Sequence, residues 1–168
     1  MISRLATIAE SQVGVRESGR NSGVDVRKYQ EATNLKERGF AWCAAFVDWC
    51  IKEWLTDSEA VKWLGLKVRT PEEWRPKTAL AYGFLNWAKD RPNTTEVLMP
   101  SAKAQAGDIV MYTFSHVGIV ISDNGKTIQT VEGNTNEEGS REGDGVYYRT
   151  RNKSLVRRYV RITPSRRA

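Results

Sequence analysis

The sequence predicts an α+β fold in one domain over residues 1–168, with a helical part over about 1–100 and an antiparallel sheet over about 107–163. Three observations predict it. Cys43, Phe46, Val47, Cys50, Ile51 and Trp54 recur at i, i+3, i+4 and i+7, the period of a helix with one buried face. From Gly107 onward the period changes to short β-rich runs separated by turns. Helices and strands thus come in blocks and do not alternate as βαβ units would. A chain of 168 residues, 40% hydrophobic and 27% charged, suffices for one core, and six tryptophans exceed what a disordered segment carries.

Taken in order, Ser3 is placed to cap a first helix through Leu5, Ile8, Ala9 and Val13, which Gly14 ends. Residues 16–25 form a turn-rich loop, and Val26, Tyr29 and Ala32 a short second helix. The third helix covers 43–55, with Asp48, Lys52 and Glu53 on its wet side. Residues 58–64, stopped by Gly65, 71–74 behind Thr70, and 79–89 behind Thr78 are further short helices. Strands follow at 108–114, 117–122, 127–132, 145–150 and 155–162.

A net charge of +6 and a pI near 9.4 favour polyanions such as nucleic acid, acidic lipid or an acidic wall polymer, without choosing among them. Arg157, Arg158, Arg161, Arg166 and Arg167 flank the apolar Tyr159, Val160 and Ile162, which suits a strand with a solvated tail or a binding patch. The two cysteines, seven residues apart on one helix, would lie about 10 Å from each other, too far for a disulfide. No CxxC or Cys/His cluster suggests a structural metal. Residues 1–14 lack the apolar stretch of a signal peptide, and no run approaches the length of a membrane span.

Two residues stand out as chemistry. Cys43 opens the strongest helix, where the positive end of the dipole and free N–H groups favour a thiolate and can receive an oxyanion. Cys50, two turns along, belongs to the core. His116, the one histidine, stands at the entrance to a strand. If the turn at Asp123–Lys126 is a three-residue loop with Gly125 left-handed, Ser122 pairs with Lys126 and His116 falls opposite Glu132, with Asn134 on the same face. A two-residue Asn124-Gly125 loop would slip the register by one and turn both away. Gly118, on the His116 face, would leave room for the Cys43 helix.

Trp42-Cys43-Ala44-Ala45-Phe46-Val47, Gly107-Asp108-Ile109-Val110, Ser115-His116-Val117-Gly118-Ile119-Val120 and Glu132-Gly133-Asn134 occur in that order. In these motifs the sequence resembles the CHAP amidohydrolase/peptidase domains, relatives of NlpC-type papain-like peptidoglycan hydrolases. Gly14-Val15-Arg16-Glu17 followed by Asn21 is similar to small phage-type and bacterial members. The resemblance implies a papain-like fold, Cys43 as nucleophile, His116 as base, and Glu132 and Asn134 as polar partners of the histidine; Trp42, Glu17 and Asn21 are the candidates to border the substrate cleft. It implies peptidoglycan as substrate, cut at the muramoyl–L-alanine amide or within the stem peptide. The helical segment 56–100 is longer than in many relatives and suits a lid or surface packing.

The expected partners are the wall and, for an injected effector, an immunity protein. Nucleic acid, membrane insertion and stable oligomers are not expected. With no signal peptide, the chain would be made in the cytoplasm and reach the wall through lysis, a phage particle or dedicated secretion. No cofactor is expected. Glu17, Asn21 and Asp25 leave calcium as an open alternative, although they lack the dense alternation of calcium loops. A silent wall-binding module and a thiol acyltransferase or intracellular amidase are the competing readings.

Overall fold

The computed structural model describes residues 1–67 and 70–166, so Arg167 of the basic run lies outside the described residues. Helices α1 (Ser3–Glu10), α2 (Val24–Gln30), α3 (Cys43–Trp54), α4 (Ser58–Trp63), α5 (Pro71–Trp74) and α6 (Gly83–Lys89) come first. Strands β1 (Thr95–Leu98), β2 (Ile109–Tyr112), β3 (Val117–Asp123), β4 (Thr127–Thr135), β5 (Gly145–Asn152) and β6 (Val156–Ile162) follow. They form one antiparallel sheet in the order β1-β6-β2-β3-β4-β5, and the fold is α+β as the sequence predicts.

Strand alternation divides the sheet into two faces. Ile109, Met111, Val117, Ile119 and Val131 share one core with Leu5 and Ala9 of α1 and with Phe46, Val47, Cys50 and Ile51 of α3. Val110, Tyr112, Val120, Ile128 and Tyr159 form a second, smaller cluster with Ala104.

Local chemistry corrects several boundaries. Strand β1 lies inside the stretch expected to be helical to residue 100; it pairs with β6 from Thr95↔Ile162 to Leu98↔Tyr159. Four residues are too few to show a period. Ser3 lies inside α1 and caps nothing. Helix α6 starts at Gly83, not 79, because Thr78 Oγ1 accepts the Leu80 N–H at 3.1 Å and holds a local turn. Asp48 is fully buried, not on the wet side. Burial pushes its carboxyl well above the usual range, against the pull of the Arg75 guanidinium, which the 56–100 segment brings over it.

That segment packs. Leu64, Trp74, Phe84 and Trp87 enter the α3 core, with the Trp87 indole N–H donating to the Trp74 carbonyl at 2.7 Å. In β6, Arg161 forks onto buried Asp108 at 2.9 and 2.7 Å, and the Arg157 guanidinium lies 4.2 Å over the centroid of the Tyr82 ring. The basic run is therefore engaged within the fold at these positions.

The hairpin β3–β4 has neither register weighed from sequence. Asn124 N–H donates to the Thr127 carbonyl at 2.9 Å, so the two-residue connection is Gly125-Lys126, with Gly125 at φ 93°. Asp123 pairs with Ile128 and Ser122 with Gln129, a register that alone would put Glu132 on the wrong face. A bulge at Ile121 inserts one residue, and the ladder continues as Val120↔Thr130 and Ile119↔Val131. The two displacements restore the parity.

Candidate active site

Cys43 is the first residue of α3. Trp42, at the N-cap, offers no side-chain cap, and the first turn holds no acidic residue, so the positive end of the dipole is uncompensated at the thiol. Cys43 is 7% exposed, whereas Cys50 is fully buried and burial pushes its thiol well up.

His116 is set by a different hairpin. Tyr112 N–H donates to the His116 carbonyl at 3.0 Å across the three-residue loop Thr113-Phe114-Ser115, with Ser115 left-handed at φ 56°. The three-residue geometry expected at Gly125 occurs here instead. A non-glycine residue in this conformation costs about 1–2 kcal/mol. Tyr82, from the 56–100 segment, holds the loop: its hydroxyl accepts the Ser115 N–H at 2.8 Å and donates to the Tyr112 carbonyl at 2.7 Å.

The ladder, carried one step beyond Ile119↔Val131, puts Gly118 opposite Glu132. Glu132 is thus a diagonal neighbour of His116, and the bond still forms: Nε2 lies 2.8 Å from Glu132 Oε2. A carboxylate only accepts, so Nε2 carries the proton. The other nitrogen, Nδ1, has no hydrogen-bond partner of ordinary geometry, and by elimination is the atom that meets Cys43. Burial opposes the imidazolium, but the side-chain interactions with Cys43 and Glu132 outweigh it and raise His116 to about 9.

Gly118 makes room for Glu132, not for α3. A methyl there would fall 2.6 Å from Glu132 Cγ, whereas one on Gly133 would fall 2.7 Å from Phe46 Cβ and 2.9 Å from the Trp42 ring. Gly133 is the glycine against which the Cys43 helix packs.

Glu132 is fully buried. Oε1 receives Tyr112 Oη at 2.6 Å, Thr130 Oγ1 at 2.7 Å and Arg151 Nε at 3.0 Å; Oε2 receives Arg151 Nη2 at 2.5 Å besides His116. Burial alone would raise its pKa, but these bonds and the charges of His116 and Arg151 hold it well below the usual carboxylate range. Arg151, Tyr112, Thr130 and Tyr82 were not singled out by the sequence. The fourth expected strand, which is β5 in the structure, stopped at 150, one residue short of Arg151, while strand parity puts Tyr147, Arg149 and Arg151 on the Glu132 face.

Asn134, 1% exposed and left-handed at φ 55°, borders a cleft of about 680 Å³ that also contains Glu17 and Asn21. Glu17 Oε2 accepts the Trp42 indole N–H at 3.1 Å and the Asn21 N–H at 3.0 Å. Trp42 is fully buried, so it anchors Glu17 and presents no face to a substrate. Glu17, Glu137, Glu138, Glu142 and Asp144 face the cleft against one cation, Arg20. The lining of this cleft is thus richer in carboxylates than the chain as a whole. Among the described residues no three His, Cys, Asp or Glu side chains converge as a metal site, and no helix is long and apolar enough to cross a membrane.

Comparison with curated proteins gave no match. Among solved structures, "The crystal structure of Ly7917" aligns at a TM-score of 0.54 and 18% identity, covering 98% of this chain. "The crystal structure of Ly7917 with the hydrolyzing product of MDP" aligns at 0.49 and 19% identity, also covering 98%. The chain spans 62% and 63% of those two chains, and the first likeness shows the fold. The CHAP domain model matches residues 35–134, a span containing Cys43, His116, Glu132 and Asn134. The chain belongs to the CHAP domain family, the cysteine, histidine-dependent amidohydrolases/peptidases.

Proposed function

We propose that this protein hydrolyses an amide bond of peptidoglycan, with Cys43 as nucleophile and His116 as its acid and base. The observation that carries this reading is the position of His116, held between the thiol at the start of α3 and a buried, ionised Glu132. The Cys43 thiolate, paired with the imidazolium, attacks the amide carbonyl, and the carbonyl π electrons move onto oxygen. The N–H groups at the start of α3 face that developing charge. The tetrahedral species collapses as His116 Nδ1 gives its proton to the departing amine, leaving a thioester. Water, deprotonated by Nδ1, then attacks the thioester and releases the acid and the thiol. These steps require no cofactor.

Peptidoglycan as substrate rests on membership of the CHAP family. The bond is the muramoyl–L-alanine amide or one within the stem peptide. Access to the wall through lysis, a phage particle or dedicated secretion belongs to the same proposal, with a paired immunity protein in the last case. Mass spectrometry of purified peptidoglycan after digestion tests the reading. New amino and carboxyl termini identify the bond. Unchanged muropeptides would overturn it in favour of a silent wall-binding module or a thiol acyltransferase.

A further inference from the structure

We infer that Arg151 is a positioning residue of this active site: its guanidinium fixes the plane and the ionisation of Glu132, and through Glu132 the orientation and proton of His116. The inference rests on the proposed roles of Cys43 and His116. Arg151 lies outside residues 35–134, so the family match does not cover it.

The geometry is that of a fork matched to a carboxylate. Nε reaches Oε1 at 3.0 Å and Nη2 reaches Oε2 at 2.5 Å, while Nη1 donates to the Gly139 carbonyl at 2.9 Å. All three guanidinium nitrogens are used, which fixes the plane of the group. Its central carbon sits 5.2 Å from the centroids of both the Tyr112 and the Phe114 rings, which in turn stack beside His116 at 6.0 and 5.9 Å. Two parallel bonds allow the carboxylate one plane, and in that plane Oε2 meets His116 Nε2. Lysine could supply the charge but not this constraint.

The groups that act on Glu132 are His116 at the head of β3, Tyr112 on β2 and Arg151 on β5; Cys43 of α3 acts through His116. Tyr112 donates a neutral bond. Arg151 is thus the one fixed cation of the set, because His116 changes charge during the proposed reaction. Without it the buried carboxylate would take up a proton at higher pH and cease to support the imidazolium. The Gly139 carbonyl also ties the guanidinium to the 136–143 loop, part of which borders the acidic cleft.

The test is the pH dependence of Cys43 alkylation by iodoacetamide, read by peptide mass spectrometry in the wild type, Arg151→Gln and Arg151→Lys. Circular dichroism confirms folding, and turnover of peptidoglycan is measured in parallel. Arg151→Gln should move the acid limb of alkylation upward by about one pH unit. It should also lower kcat by about 100-fold with KM unchanged. Arg151→Lys, which keeps the buried charge and is the milder variant should the glutamine form not fold, should move the limb in the same direction by less. A limb that stays at its wild-type position in the folded variants would overturn the inference, even if the rate falls, since a merely structural residue would give that result. Alkylation needs no peptidoglycan. A moved limb in a protein that cuts no wall would support Arg151 and reject the substrate.

Discussion

On the α3 side of the sheet, Ile109, Met111, Val117, Ile119 and Val131 meet Phe46, Val47 and Cys50 in an apolar core. One residue along on each strand, Tyr112, His116, Thr130 and Glu132 point the other way, and Arg151 joins them from β5. The first face holds the helix that carries the thiol. The second holds the charge that acts on it. The two meet where α3 begins and β3 begins, so that Cys43 and His116 interact without either face giving up its character. The same division separates the cysteines: Cys50 is sealed in the apolar face, while Cys43 reaches the junction.

The largest effect should come from opening the polar face. Glu132→Gln leaves Arg151 buried without its counter-charge, which should cost about 3–5 kcal/mol of stability by denaturant titration and abolish measurable turnover. Full activity with unchanged stability would show that the network is idle.

The two glycines at the faces give a sharper contrast. Gly133→Ala presses on Phe46 and Trp42 and should destabilise by about 1–3 kcal/mol as an overpacked core does. Gly118→Ala displaces the Glu132 side chain, so its loss of kcat should exceed what its change in melting temperature explains. Equal behaviour of the two variants would erase the distinction between faces.

Titration should also separate them. His116 is raised from 6.5 to about 9, so its charge contributes stability that is complete below pH 6.5 and lost as pH rises through about 9. Glu132 is depressed, and its contribution is present above its ordinary value and lost as pH falls toward its folded pKa. The melting temperature should therefore decline between pH 6.5 and 9, and His116→Gln should flatten that decline. The smallest effect expected is that of Tyr82→Phe. Losing its two bonds to the His116 loop should cost about 1–2 kcal/mol and lower kcat modestly, with KM unchanged.

Much of this was legible because the signals were local. The helical period of Cys43 to Trp54 and the sequence around His116 needed no knowledge of distant pairings. The catalytic face was reached for an incomplete reason. The turn is Gly125-Lys126 and its register is odd, and the bulge at Ile121, which nothing in Val120-Ile121-Ser122 announces, returns Glu132 to the His116 side. Gly118 was seen as space, but whether a missing Cβ admits a helix or a carboxylate depends on which face it lies on. Arg151 and Tyr82 were not legible, since each acts from an element outside the β3–β4 hairpin, onto a group whose partners only the tertiary fold defines. The short β1 and the burial of Asp48 follow from the 56–100 segment folding back onto the sheet edge and α3, a tertiary event without a local signature.

The most direct test of the central claim is the release of new amino groups from purified peptidoglycan between pH 5 and 10 by the wild-type protein and by Cys43→Ala. The account predicts no turnover in Cys43→Ala, with the fold intact by circular dichroism, and wild-type turnover that falls as pH rises through about 9, where His116 loses its proton. Turnover by Cys43→Ala, or a wild-type rate that continues undiminished to pH 10, would contradict it.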